Sequence, residues 1–155
     1  ILVRGANVFL GYFKNDDATG SVFTDDGWFK TGDMGVIDED GCLFIKGRTK
    51  CMILGPSGQN IYPEEVETVI NSQPYVVDSL VVEDNGGLTA LIYPDFAQGA
   101  KDGMNQDVFI KFMEDTLPEL NKELPNYAKL KKIEIMSEDF ERTPKKSIKR
   151  YLYQR

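Results

Sequence analysis

Residues 61–93 read IYPEEVETVINSQPYVVDSLVVEDNGGLTALIY, and this stretch decides the fold class. Its first third carries the marks of a helix. Pro63 suits the first helical position, Glu64 and Glu65 complement the positive end of the helix dipole, and Val66, Val69 and Ile70 form one apolar stripe. The helix should end near Ser72, before Pro74. Residues 76–82 and 88–93 are β-branched runs joined by Glu83-Asp84-Asn85-Gly86-Gly87, where Asn-Gly signals a tight antiparallel hairpin. A helix followed by a hairpin on one short stretch points to an α+β fold.

Working outward, residues 106–124 place Phe109, Phe112, Met113, Thr116, Leu117 and Leu120 at helical spacing, with Pro118 set to kink or split the helix. Residues 132–136 alternate as a strand does, and residues 148–153 suit a short terminal helix. Towards the N-terminus, residues 3–12 are apolar and read as β structure, and residues 15–19 read as a polar loop or helical turn. Residues 34–38 and 42–46 flank Asp38-Glu39-Asp40-Gly41 as a second hairpin. The expected architecture is a β-rich segment over residues 1–49, then a small α+β domain over residues 50–155 with a hairpin, a mixed or antiparallel sheet and two to three helices.

Composition narrows the function. The 155 residues are 41% hydrophobic and 28% charged, enough for a packed core, with no run approaching a membrane-spanning helix. Asp plus Glu outnumber Lys plus Arg 25 to 18, the wrong sign for a general nucleic-acid binder. With no His, and with Cys42 and Cys51 outside Cys-x-x-Cys spacing, a zinc site has no ligand set, and a reducing compartment is expected. The charge is uneven: Arg142, Lys145, Lys146, Lys149, Arg150 and Arg155 close the chain without an intervening anion, which suggests a local anion site. The chain also enters directly on a strand-like run without Met, so a piece of a longer polypeptide is expected.

Four features could carry chemistry, and each has a plainer reading. Asp33, in Trp28-Phe29-Lys30-Thr31-Gly32-Asp33, could accept two ribose hydroxyls or simply sit solvated in a turn. Arg48, in Gly47-Arg48-Thr49-Lys50, offers a fork of donors to hydroxyls or phosphate, or guards a strand edge. The loop Gly55-Pro56-Ser57-Gly58-Gln59-Asn60 could cradle an anion or an extended ligand, but it lacks the closing Gly-Lys-Ser/Thr of a phosphate loop, and taken alone it reads better as a plain strand-to-helix connection. The tail Thr143-Pro144-Lys145-Lys146-Ser147-Ile148-Lys149-Arg150 could deliver a cation to a reacting phosphate, solubilise the chain, or bind anionic lipid.

In this order the features resemble the adenylate-forming (acyl-CoA synthetase, AMP-binding) superfamily, and within it bacterial long-chain fatty-acid:CoA ligases. Residues 28–33 resemble the family's ribose-binding motif, residues 47–50 its interdomain hinge, residues 57–67 its following loop and helix, and residues 124–127 and 143–150 its closing segments. The resemblance implies that Asp33 and Arg48 hold the ribose of ATP or AMP, that Lys50 is the hinge, and that Gly58 lines the thiol tunnel for coenzyme A. It implies Mg²⁺, with ligands outside residues 1–155, and a cytoplasmic polypeptide, at most peripheral to the inner membrane face. Its partners would be a fatty acid, ATP, coenzyme A and the missing N-terminal domain. The family's catalytic lysine stands four residues after the Thr, where this chain has Ser147; Lys149, sharing that face in an extended segment, is preferred as its replacement over Lys146. The chain alone is expected not to make acyl-CoA. The alternatives are an adenylation domain that loads a carrier protein and a non-catalytic module binding lipid or a partner.

Overall fold

The computed structural model describes residues 1–155. They form two compact units, Ile1–Cys51 and Met52–Arg155.

In the first unit, β1 (Leu2–Val3) is followed by α1 (Asp16–Val22) and then by β2 (Phe29–Lys30), which pairs antiparallel with β1. Asn15 caps α1, its Oδ1 accepting from the Ala18 amide at 3.0 Å, with Asp16 and Asp17 in the first turn. The expected strand over residues 3–12 shrinks to β1. A turn closed by Val8 N donating to Gly5 O at 3.1 Å breaks it, and Phe9 packs edge-on against Phe29 at 5.1 Å and beside Phe23 at 5.6 Å.

β3 (Asp33–Ile37) and β4 (Leu43–Arg48) form the expected antiparallel hairpin. Asp38 Oδ1 accepts from Cys42 N at 2.8 Å, and Gly41, at φ +81°, supplies the left-handed residue of the turn. A bulge beside Met34 and Gly35 re-registers the pair so that Asp33 stands opposite Arg48. Val36, Ile37, Leu43, Phe44 and Ile45 of this hairpin are all at least half exposed.

The second unit begins with a small hairpin, β5 (Ile53–Leu54) and β6 (Asn60–Ile61), so the Gly55–Asn60 loop joins two strands and not a strand and a helix. Then come α2 (Pro63–Asn71), β7 (Val76–Asp84), β8 (Gly87–Pro94), α3 (Phe96–Lys101), α4 (Gln106–Glu114), α5 (Leu117–Glu123) and β9 (Leu130–Ile135). The sheet order is β7-β8-β9, with β7 antiparallel and β9 parallel to β8. The long helical pattern does split, at residues 115–116, with Pro118 in the first turn of α5 where its missing N–H is harmless. α3 had no apolar period to announce it; Asp95 caps it, accepting from Gln98 N at 2.9 Å. The terminal helix is a single 3-10 turn, Arg150–Leu152.

Strand alternation explains how the sheet is covered. Val81, Ala90 and Ile92 face a core made with Val66 and Ile70 of α2, Phe109 and Met113 of α4 and Leu120 of α5. Leu80, Val82 and Leu91 face the other way, where Phe140, Ile148 and Tyr153 of the tail cover them. The tail is therefore the second layer of the domain. No helix is long and apolar enough to cross a membrane.

Candidate functional site

In the first unit, the β3–β4 register brings Asp33 and Arg48 together: Arg48 Nε lies 3.0 Å from Asp33 Oδ1. The side chains are 27% and 62% exposed, so the pair faces solvent and can take a ligand without unfolding anything. Three bonds set its geometry. Arg48 Nη1 donates to Thr31 O at 3.3 Å, Asp33 N donates to Thr31 Oγ1 at 3.0 Å, and Thr49 N donates to Gly32 O at 2.9 Å. Gly32 sits at φ +78°, a conformation that L side chains resist, with Arg48 Nη1 only 3.8 Å from where a Cβ would be. With Oδ1 held by the guanidinium, the carboxylate still has lone pairs on Oδ2 for a hydroxyl donor. Lys50 lies within a 3-10 turn, Thr49–Cys51, at the end of this unit.

In the second unit, the Gly55–Asn60 loop closes on itself: Gly55 N donates to Gln59 O at 2.8 Å and Gly58 N to Gly55 O at 2.9 Å. Gly58 is exposed at φ +80°, with open space where a side chain would stand. The loop forms one wall of a cleft of about 550 Å³, with Gly86, Gly87 and Leu88 at the β7–β8 turn and Asn126, Tyr127 and Lys129 on the other sides.

The basic tail is largely spent on the fold. Arg150 Nη1 donates to Glu67 Oε1 at 2.8 Å, and its Nη2 bonds the second oxygen of the same carboxylate. Arg142 Nη2 donates to Asp78 at 2.8 Å and to Asp139 at 2.9 Å; Arg155 pairs with Glu134 and Asp84; Lys149 Nζ lies 3.0 Å from Glu141 Oε2. Hydrogen bonding and charge from Glu141 raise the Lys149 pKa, and Arg155 together with Lys132 holds Glu134 down to about 2. Only Lys145 and Lys146 of the six cations carry ammonium groups with no partner in the chain.

The extended segment expected around Ser147 is a turn instead. Thr143 N donates to Ser147 O and Lys146 N to Thr143 O, each at 2.8 Å, and Lys146 adopts φ +63°. The period-two argument that put Lys149 on the face of Ser147 therefore has no local backbone to stand on. The carboxylates that receive the tail were missed by the sequence reading. One signal existed: Pro63, Val66, Glu67 and Ile70 are the buried positions of α2, so an acid lies on an apolar stripe at helical spacing. No group of three or more His, Cys, Asp or Glu side chains gathers to hold a metal ion.

Residues 51–155 match the model of the AMP-binding enzyme C-terminal domain. The chain belongs to this family. Over 84 residues it is 48% identical to the long-chain-fatty-acid–CoA ligase FadD15 of Mycobacterium tuberculosis, a match covering 54% of this chain and 14% of that protein. Over 82 residues it is 44% identical to the 2-succinylbenzoate–CoA ligase of Bacillus cytotoxicus, covering 53% of this chain and 17% of that one. The crystal structure of ATP-bound MatB from Rhodopseudomonas palustris superposes with a TM-score of 0.72 at 33% identity, covering 98% of this chain and 29% of that one. The chain thus spans less than a fifth of the length of these two curated relatives.

Proposed function

We propose that residues 1–155 are the closing portion of an ATP-dependent fatty-acid:CoA ligase, with residues 1–49 ending its large domain and residues 50–155 forming its mobile small domain. The observation that carries the reading is the Asp33–Arg48 pair, held on facing strand ends by the β3–β4 register, in a chain whose following residues match an AMP-binding enzyme C-terminal domain. The half-exposed apolar residues of the β3–β4 hairpin support the assignment of residues 1–49, since contiguous apolar surface calls for a covering partner.

The reaction has two steps. A fatty-acid carboxylate oxygen attacks the α-phosphorus of ATP, forming an acyl-adenylate and expelling pyrophosphate. The thiol of coenzyme A then attacks the acyl carbonyl carbon, losing its proton, and AMP leaves. Asp33 accepts from a ribose hydroxyl through Oδ2 while Arg48 holds Oδ1 and adds donors of its own. A cation from the tail stabilises negative charge on the phosphate in the first step. Lys146 supplies it in preference to Lys149, because the Lys149 ammonium is already engaged by Glu141 and the Lys146 ammonium is not. Gly58 lets backbone approach the pantetheine arm, and Lys50 is the hinge that exchanges the tail for the Gly58 loop between steps. Mg²⁺ ligands lie elsewhere in the polypeptide. The fatty-acid assignment follows the FadD15 likeness; a lipid-binding role for the tail is disfavoured because four of its six cations are already paired.

The test is steady-state assay of the full-length polypeptide with ATP, fatty acid and coenzyme A. AMP and acyl-CoA should form together, and Asp33→Asn should lower kcat/KM for ATP by about 10–100-fold, the worth of one charge-assisted bond of about 1.5–3 kcal/mol. Transfer only to a carrier protein would replace this reading with its nearest alternative.

A further inference from the structure

The turn that carries Lys146 is tied to the sheet by a polar side chain as well as by the packing of Ile148 at its base. Arg142 Nη2 donates to Asp78 Oδ2 on β7 at 2.8 Å and to Asp139 Oδ1 at 2.9 Å, while its Nη1 donates to the backbone oxygen of Lys146 at 3.3 Å. The arginine fork thus joins a sheet strand to the backbone of Lys146, one of the two tail lysines whose ammonium groups are unpartnered. Its side chain is 30% exposed and that of Asp78 22%, so the link is partly shielded from water and less screened than a surface pair.

Such a link is needed because Lys146 is not at rest by its own preference. At φ +63° it occupies the left-handed region that a non-glycine residue enters at a cost, and two backbone bonds, Lys146 N to Thr143 O and Thr143 N to Ser147 O, define the turn from within. Arg142 also pairs with Ile148 across the base of the turn. A fork gripping both the sheet and the Lys146 carbonyl fixes where the turn points; a lysine at 142 would donate from a single nitrogen on a flexible stem and lacks the planar fork that serves the two acceptors from separate nitrogens.

We infer that Arg142 is a positioning residue for the adenylate-forming step, setting the reach of the Lys146 ammonium through its bonds to Asp78 and the Lys146 carbonyl. This rests on the ligase reading above. The Arg142 donors are engaged by Asp78, Asp139 and the Lys146 carbonyl, so its loss acts on the step that uses Lys146 and not on the step that follows.

Single-turnover assays of the full-length polypeptide separate the two steps: pyrophosphate release from ATP and fatty acid, and acyl-CoA formation from supplied acyl-adenylate. Arg142→Gln should slow the first about 10–100-fold and leave the second within about twofold. Asp78→Asn, which keeps the shape of its side chain, should act in the same direction, and Arg142→Lys should recover only part of the loss. Lys146→Ala should slow the first step at least as much as Arg142→Gln. Equal losses in both steps, no loss in either, or full rescue by Arg142→Lys would overturn the inference while the ligase reading stood. A wild-type polypeptide that releases no pyrophosphate would instead remove the ligase reading itself.

Discussion

Glu67 is the residue whose replacement should cost the second unit most. Its carboxylate is 9% exposed, accepts from Val81 N on β7 at 2.7 Å, and bonds both terminal nitrogens of Arg150. It therefore joins α2, the sheet and the tail at one point. Glu67→Ala removes the acceptor of a buried amide, about 1–3 kcal/mol, and leaves a partly buried guanidinium without its main carboxylate, for a total of about 3–5 kcal/mol. Glu67→Gln keeps an oxygen for Val81 N. Burial pushes the Glu67 pKa up, with Arg150 opposing, so the charge itself is worth less than the acceptors, and Gln should cost only about 1–2 kcal/mol. Urea unfolding of the 155-residue chain at neutral pH, followed by far-UV circular dichroism, reads this directly. With a slope near 1–1.5 kcal/mol per molar for a unit of this size, Ala should lower the midpoint by about 2–5 M. The pH dependence has a fixed sign. A carboxyl with a raised folded pKa binds its proton more tightly in the native state, so wild-type stability relative to Glu67→Gln should fall as pH rises above the unfolded value near 4.5. Equal costs for Ala and Gln, or costs below about 1 kcal/mol for both, would refute the reasoning.

Glu134, held down to about 2 by Arg155 and Lys132, acts with the opposite sign: its contribution is present above the unfolded value of 4.5 and lost as pH falls towards 2. Solvent screening limits it to about 1 kcal/mol, so Glu134→Gln should flatten the acid limb of the stability curve by that amount, measured by urea midpoints across pH 2–5. Gly99→Ala would set a methyl group within 2.8–3.0 Å of the buried Phe109 ring, and the overpacking should cost about 1–3 kcal/mol in the same assay. Gly86→Ala meets no atoms but must hold φ +71°, so its cost of about 1–2 kcal/mol should be wholly conformational and Gly86→Asn should be milder. The 155-residue chain by itself should release no pyrophosphate from ATP and a fatty acid; release would show that these residues suffice for the chemistry.

Local signals read well in this chain where backbone and side chains agreed. Asn85-Gly86 marked its hairpin because both residues take positive φ there, and Pro63 with Glu64 and Glu65 marked the start of α2. Over residues 3–12 apolar content does not mean strand pairing, because Phe9 goes to an aromatic cluster instead. The Asp33–Arg48 juxtaposition depended on a bulge at Met34 and Gly35, which no residue pattern specifies. The tail is a different case. A run of cations looks like an anion site until the fold shows which carboxylates meet it, and Asp78, Glu67 and Glu134 lie 64, 83 and 21 residues away in sequence. Long-range charge pairing is invisible to any local window.

The proposal that residues 50–155 move about Lys50 has a direct measurement. Lys50 lies in the Thr49–Cys51 3-10 turn, whose φ proline already favours, so Lys50→Pro should hold this geometry and oppose others. Adenylate formation and thioester formation would be timed separately in the full-length variant and its parent. The account predicts that proline slows one of the two steps at least about tenfold more than the other. Two steps slowed alike, or neither slowed, would contradict it.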